Sequence, residues 1–164
     1  MILRISLSNQ LRVMSFHFLG TFFMLVALSL LRFHMDFVLV FAGTYALLTL
    51  PLAYLHVQYY LANRRLEVII ENGELTITEK NGHTEKLKFT EISKVILYKS
   101  ASLDKEAIQF TPLESYHYAR IITKSEKQIL VTCLMSPKLE EIVNGFVGVM
   151  IVRKKRFFCT LSFE

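Results

Sequence analysis

The sequence predicts an α+β membrane protein, in which a transmembrane α-hairpin precedes an antiparallel β-barrel or sandwich of six or seven strands with one C-terminal helix. Three observations predict it: two long charge-free apolar stretches near the N-terminus, a series of short segments bounded by turn residues, and one helical pattern near the end. Of the 164 residues, 52% are hydrophobic and only 20% are charged. This composition excludes a disordered chain and is more apolar than a simple soluble one.

Two stretches without Asp, Glu, Lys or Arg predict the membrane spans. Val13–Leu31 has 19 residues, which at ~1.5 Å of rise per residue matches a hydrocarbon core of ~30 Å. Phe37–Asn63 has 27 residues, enough to span with tilt. A pair of buried core helices is disfavoured because the rest of the chain offers too little apolar surface to cover them. A signal peptide is disfavoured because the first stretch is longer than an apolar core of ~7–15 residues.

We therefore expect spans at about 13–31 and 37–62. The domain boundary should follow residue 65, with an anchor at 1–65 and a water-exposed domain at 66–164. Pro51 falls inside the second span, where neighbouring groups and water can satisfy the carbonyl that it frees.

The distribution of basic residues predicts the orientation. The link Arg32–Asp36 is so short that the spans must be antiparallel, with both chain ends on one side. Arg4 and Arg12 precede the first span and Arg64 and Arg65 follow the second, whereas the tip has one arginine beside an aspartate. By the positive-inside rule, the N-terminus and the domain should be cytoplasmic, at a cell inner membrane.

Tyrosines and small residues suggest further roles within the second span. Tyr54, Tyr59 and Tyr60 lie near its cytoplasmic end, as in an interfacial aromatic belt. Ala42 and Ala46, with Gly43 between them, could admit another helix, or could only pack the hairpin's own first span.

Short alternating segments predict hairpins after residue 65. Asn72-Gly73 suits a two-residue turn with positive φ, and Asn81-Gly82 repeats the signal. A loop with a short strand is expected near Ala107–Phe110. The other expected strands are Leu66–Glu71, Glu74–Lys80, Thr84–Phe89, Lys94–Lys99, Tyr116–Thr123, Lys127–Leu134 and a last one at Val147–Val152.

A single helix is predicted near the C-terminus. Ser136 is a good N-cap and Pro137 suits the first helical position. Apolar residues from Leu139 to Phe146 follow at helical spacing, and Gly145 should end the helix in the left-handed conformation.

Five short motifs carry a resemblance to a known family. They are Tyr59–Asn63, Gly73–Ile77, Phe89–Ile92, Tyr116–Ile121 and Ile129–Leu134. With the hairpins and the closing helix, they make Leu66–Gly145 similar to the pleckstrin-homology-like (PH-like) domains of bacterial membrane proteins, many of which have an N-terminal two-helix transmembrane hairpin. The resemblance implies a non-enzymatic binding module that presents a cytoplasmic barrel to a protein partner or to the inner membrane surface. The family has no uniform function, and the basic-aromatic tail departs from it.

Three lysines are candidates for a phosphate or headgroup site. Lys80, Lys86 and Lys88 flank the Asn81-Gly82 turn, and their spacing resembles that of phosphoinositide-binding PH domains. Converging ammonium groups could hold phosphate by charge-assisted hydrogen bonds. Because Glu79 and Glu85 are interleaved with them, a solvated strand face is the simpler alternative.

The tail is a candidate for contact with the membrane surface. Arg153, Lys154, Lys155 and Arg156 precede Phe157 and Phe158, and cations beside aromatics suit an anionic leaflet. The alternative is a solvated, frayed tail.

The irregular segment Ser100–Ser115 with Tyr116 and Tyr118 is the candidate contact with a protein partner. Addition of a peptide to an exposed strand edge is a further mode.

Metal, cofactor and enzyme chemistry are not expected. His17 and His56 could face each other as ligands, but interfacial imidazoles are far commoner, and no carboxylate or thiol completes a shell. Cys133 is expected in the core and Cys159 in the tail without a clear role, and a cytoplasmic disulfide is unlikely. No catalytic motif occurs. With 16 basic and 13 acidic residues after residue 63, the domain is too balanced for nucleic-acid binding.

Two other functions remain open on the sequence. One is an immunity or protective membrane protein against a toxin or envelope stress. The other is a subunit of a small oligomeric membrane complex, formed as a homo-oligomer.

Overall fold

A helical hairpin and two β-sheets make up the protein. The computed structural model describes residues 1–32, 34–105 and 111–161, without the side chain of Phe16. The helices are α1 (Leu7–Leu30), α2 (Met35–Asn63), α3 (Ala101–Asp104) and α4 (Leu139–Asn144), with 3-10 turns at Phe89–Glu91 and Pro112–Ser115. The strands are β1 (Ile2–Leu3), β2 (Leu66–Glu71), β3 (Glu74–Glu79), β4 (Thr84–Lys88), β5 (Ile92–Ser100), β6 (Tyr118–Thr123), β7 (Gln128–Thr132) and β8 (Met150–Arg156).

The strands form two four-stranded sheets. The first has the order β1-β2-β3-β4 and is antiparallel throughout. The second has the order β7-β6-β5-β8, in which β8 runs parallel to β5. Helices followed by two sheets fit the predicted α+β class.

Strand β1 joins the start of the chain to the first sheet. Leu3 pairs with Val68 of β2, and the amino group of Met1 donates to the carbonyl of Ile70 at 2.7 Å. A two-residue strand has no detectable periodicity, so the sequence analysis missed it. Since β1 precedes α1 and β2 follows α2, both ends of the hairpin return to the same sheet, as the antiparallel hairpin requires.

The hairpin helices differ in shape. Helix α1 bends by 51° between Leu7–Ser15 and His17–Leu30, near a bond from the Ser15 hydroxyl to the Arg12 carbonyl at 2.7 Å. Such back-bonding often bends helices. Helix α2 is long and apolar enough to cross a membrane, with a mean hydropathy of 1.9, and α1 is a second such helix if its two segments form one span.

The first core lies between the two sheets and is closed by α4. Phe89 and Phe146 stack there with ring centroids 4.6 Å apart. Its buried members are Leu3, Val68, Leu75, Ile77, Ile92, Val95, Leu97, Ala119, Ile121, Ile129, Val131, Met135, Leu139, Val143 and Phe146.

A second core lies on the opposite face of the second sheet, where the end of α2 packs. Leu52, Leu55, Tyr59 and Asn63 are its buried α2 residues, at the spacing of one helix face. Strand β5 is therefore covered on both faces, in agreement with its near-continuous apolar sequence. The end of the second apolar stretch therefore packs on the second sheet.

Several local expectations are confirmed and others need correction. Asn72 and Gly73 have φ of 50° and 77°, as the predicted turn requires. The last helix begins at Leu139, because the Ser136 hydroxyl caps only a turn, accepting from the Lys138 amide at 3.2 Å. Gly145 has φ of −76° and is not left-handed. The strand expected near residues 107–110 lies outside the described residues.

Candidate functional site

The barrel has one end beside the middle of the hairpin and the opposite end beside the last residues of α2. Strand β5 ends at Ser100, level with Arg156 of β8. The Ser100 hydroxyl donates to the Glu114 carbonyl at 2.8 Å, in the turn Pro112–Ser115 that contacts α1 and α2. We call this the hairpin end.

The opposite, far end carries the turn between β3 and β4. There the Lys80 amide donates to the Arg65 carbonyl at 2.9 Å. Asn63, the last residue of α2, follows Pro51 by 12 positions, which corresponds to about 18 Å of helix. Lys80 is thus separated from the exposed part of the hairpin by the whole barrel-packed part of α2.

The basic tail is an ordered strand rather than a frayed segment. Arg153 contacts Glu140 (Nε to Oε1, 3.4 Å) and donates to the side-chain oxygen of Asn144 at 2.7 Å. Lys155 pairs with Asp104 at 2.7 Å, and this hydrogen bond is the main cause that lowers the pKa of Asp104. Arg153 and Lys155 therefore have carboxylate partners within the chain.

Two aromatics and two cations of the tail surround the hairpin end. Phe157 and Phe158 are 82% and 42% exposed, with ring centroids 4.5 Å apart. The Lys154 ammonium and the Arg156 guanidinium lie 5.9 and 4.8 Å from the ring centroid of Tyr98. The residues of the predicted contact surface thus fall into two groups. Phe157 and Phe158 are exposed at this end, whereas Lys154 and Arg156 lie over the ring of Tyr98.

The three candidate lysines do not converge. Lys86 lies opposite Thr76 and Lys88 opposite Glu74 of β3, whereas Lys80 follows the end of that strand. At ~3.3 Å per residue, Lys80 is about 13 Å from Lys86 and about 20 Å from Lys88 along the strand. The expected phosphate-holding group is not formed, because Lys86 and Lys88 lie on an exposed strand and Lys80 lies in the turn.

Lys80 instead lines a cleft of about 260 Å³ at the far end, together with Arg4, Arg64 and Arg65. Glu67 and Glu79 line the same cleft. These cations surround the C-terminus of α2, where they offset the negative end of the helix dipole. The helix dipole thus explains why these cations lie together, and no ligand is needed to explain their arrangement.

Tyr116 and Tyr118, the expected contacts with a protein partner, are fully buried and therefore not accessible to a partner in this structure. The Tyr116 hydroxyl lies 2.8 Å from Nδ1 of His56, and its ring meets Tyr59 edge to face at 5.1 Å. Burial raises the pKa of Tyr116 far above its usual value. Both tyrosines are covered because α2 packs on this face of the second sheet. The sequence did not predict that contact.

The structure does not bring the two candidate histidines together. His17 contacts the Tyr45 hydroxyl at 3.1 Å, whereas His56 contacts Tyr116 and, at 3.3 Å, the side chain of Gln10. Within the described ranges, no three His, Cys, Asp or Glu side chains are grouped so that they could hold a metal ion.

Both cysteines are buried. Cys133 is a core residue, as expected, and burial raises its thiol pKa to about 12. Cys159 has a structural role that the sequence did not indicate: its carbonyl accepts a 2.6 Å hydrogen bond from Tyr59. Burial also raises the pKa of the Cys159 thiol, to about 11. Neither thiol is poised as a nucleophile.

A cleft of about 330 Å³ between α1, α2 and Thr111–Leu113 was missed by the sequence analysis. Its polar lining includes His17, Thr21, Tyr45 and Thr49. The sequence contained one indication of this cleft: these polar residues lie within the two apolar stretches that have no charged residue. Ala42, Gly43 and Ala46, in contrast, are exposed.

Comparisons with known proteins give one family. A family model described as a PH domain matches residues 4–140, and no curated protein matches the chain. The match includes the hairpin and ends within α4, so β8 and the exposed Phe157 and Phe158 lie beyond it.

Proposed function

The chain belongs to the PH domain family, whose members are typically non-catalytic binding modules, and we propose that it is a non-enzymatic, membrane-anchored module of this kind. Helices α1 and α2 span the inner membrane as a hairpin. The barrel and both chain ends are cytoplasmic.

A sharp change of exposure along α2 carries this proposal. Leu47 and Leu50 are 74% and 68% exposed, whereas Leu52 and Leu55 are almost completely buried. Soluble monomers rarely expose a large contiguous apolar surface. A bilayer covers the first part of α2. After Pro51 the second sheet covers one face of the helix, while Tyr54 and Val57 on the other face stay 62% and 52% exposed.

The side-chain contacts between the helices support the same boundary. His17 faces Tyr45 and Gln10 faces His56 across the hairpin. Arg12 is therefore level with residues close to 53 on α2. The last charge before the first span thus lies beside Pro51, where α2 begins to pack on the barrel.

This architecture determines what the module presents on each side. The hairpin end directs Phe157 and Phe158 toward the inner leaflet, with Lys154 and Arg156 beside them. The outer face of β4, with Lys86 and Lys88, points away from the second sheet and is available to a protein partner. Strand β4 is also a sheet edge, to which an extended peptide can add.

Accessibility of introduced cysteines tests the proposal. Met35→Cys at the exposed hairpin tip and Asn81→Cys at the far end are labelled in spheroplasts with a membrane-impermeant maleimide, and the two buried native thiols give little background. We expect labelling of the first variant in intact spheroplasts and of the second only after lysis. Labelling of Asn81→Cys before lysis would overturn the orientation, and extraction of the protein by carbonate would overturn the anchor.

A further inference from the structure

Strand β4 is an open edge of the first sheet. Among the described strands it pairs only with β3, so one side of its backbone has no neighbouring strand. An edge of this kind offers amide and carbonyl groups to an additional extended chain. The chain that fits depends on which residues of β4 direct these groups outward.

The hydrogen bonds to β3 show which backbone groups of β4 point to the open side. The Phe89 amide donates to the Gly73 carbonyl, and the Glu79 amide donates to the His83 carbonyl, both at 2.9 Å. Hydrogen-bonded and non-hydrogen-bonded pairs alternate in an antiparallel ladder, so the odd-numbered residues of β4 direct their backbone groups toward β3. The even-numbered residues direct theirs to the open side. These residues are Thr84, Lys86 and Lys88.

The usable part of this edge is short and is centred on Lys86. The Lys88 amide donates to the carboxylate of Glu91 at 2.7 Å, so it is already occupied. Thr84 and Lys86 are exposed and supply the amides that an added strand can reach. The edge therefore suits a short extended segment rather than a long strand.

The same residues give the edge a positive charge. Of the two lysines, only Lys88 lies opposite a carboxylate, that of Glu74. Neither Lys86 nor Lys88 takes part in an ion pair between described residues. Glu85, which lies between the edge residues, is paired with Lys127. Because opposite charges on directly opposed residues stabilise neighbouring strands, carboxylates are the complementary groups for this edge.

We propose that the β4 edge binds an extended acidic segment of a protein partner, in which carboxylates at alternate positions face Lys86 and Lys88. The side chain between these carboxylates is apolar, since it lies beside Leu87, which packs against the first core. The inference rests on the proposed function as a binding module and names the chemistry of its protein partner.

Fluorescence anisotropy with a labelled peptide tests this surface on the full-length protein in detergent. The probe is a short peptide of alternating glutamate and valine, compared with one of alternating lysine and valine. We expect the acidic peptide to bind more tightly, and Lys86→Glu to weaken its binding about tenfold because an attraction becomes a repulsion. Lys105→Glu is the matched control, with the same charge change at an exposed position beyond the other end of β5, and should bind like the wild type.

Methylation of the peptide backbone separates strand addition from charge attraction alone. One acidic peptide is N-methylated on its glutamates and a second on its valines. The glutamate amides face β4 if the peptide adds antiparallel, and the valine amides face β4 if it adds parallel. We expect one of the two methylated peptides to bind about tenfold more weakly and the other to bind like the unmodified peptide.

Four results would overturn the inference: no binding of the acidic peptide, equal binding of the basic peptide, unchanged binding by Lys86→Glu, or full binding of both methylated peptides. The lysines would then serve only to keep the edge from pairing with other chains. Carbonate extraction of the same variants reports the membrane anchor independently. Lost peptide binding with the protein still in the membrane refutes only the edge site, whereas extraction with peptide binding intact refutes only the anchor.

Discussion

Tyr59 connects the C-terminal segment to the helix that precedes the barrel. Its hydroxyl donates to the Cys159 carbonyl at 2.6 Å, and its ring meets Tyr116 and Tyr118 edge to face. Aromatic pairs of this geometry add ~0.5–1.5 kcal/mol each beyond area burial. This one side chain therefore stabilises the contact between α2, β6 and the last described residues.

Tyr59→Phe should release the segment that contains Cys159. The substitution keeps the ring but leaves a buried carbonyl unsatisfied, which costs about 1–3 kcal/mol. We expect Cys159 to react about tenfold faster with a small maleimide, measured by mass spectrometry of the purified protein. Tyr54→Phe, at an exposed position on the same helix, is the control, and Cys133 is the internal reference. An unchanged Cys159 rate would contradict the role of this hydrogen bond.

The sequence predicted Tyr59 as an interfacial residue because hydropathy does not distinguish lipid from an apolar sheet face. Both surfaces accept the same side chains, so the apolar stretch Phe37–Asn63 reads as one span. Only the tertiary structure shows that the end of this stretch packs on the second sheet. The burial of Tyr116 and Tyr118 was missed for the same reason, because their cover comes from α2.

Helix α2 acts as two elements joined at Pro51. Proline removes an amide donor, so the Leu47 carbonyl lacks its usual partner within the helix. The helix nevertheless continues from Met35 to Asn63. The barrel is thus joined to the hairpin by a continuous helix rather than by a linker, which fixes the direction in which the barrel points.

Leu55→Ala should destabilise the barrel although the position lies in an apparent span. Leu55 is 2% exposed, and truncation of such a buried leucine costs about 2–5 kcal/mol. Denaturant unfolding in detergent, followed by near-UV circular dichroism of the tyrosines, measures the change. Leu47→Ala, at an exposed position, should change barrel stability by less than about 0.5 kcal/mol. Equal effects of the two substitutions would contradict the division at Pro51.

The strands show what local sequence can predict. Strand β2 and the start of β3 lie where the Asn72-Gly73 turn placed them, because two positive φ angles fix the register of a hairpin. The full extent of β8 was missed, since Arg153–Arg156 is a run of like charges without alternation. Its parallel pairing with β5 joins residues that are distant in the sequence, such as Val95 and Ile151.

At the scale of the whole molecule, the parallel pairing of β8 with β5 decides which end of the barrel carries which surface. It brings the exposed Phe157 to the hairpin end, whereas the β3–β4 turn with Lys80 lies at the far end. The order of the residues alone cannot predict this arrangement. Each candidate surface was recognised as a local motif, and a local motif does not show where it lies relative to the hairpin.

A fluorophore attached at either end of the barrel reports its orientation on the membrane. Phe157→Cys and Asn81→Cys are labelled with an environment-sensitive dye and reconstituted into nanodiscs that contain anionic lipid. Residue 157 follows β8 at the hairpin end, so its dye should emit at shorter wavelength and be quenched by brominated lipid. The dye at residue 81 should behave as in water, because about 18 Å of α2 separates Pro51 from the β3–β4 turn. Removal of anionic lipid should weaken only the signal at residue 157, since Lys154 and Arg156 contribute attraction of ~1 kcal/mol each near the surface. If the dye at residue 81 is quenched instead, the far end of the barrel lies against the membrane. The end of α2 is then not directed away from the bilayer.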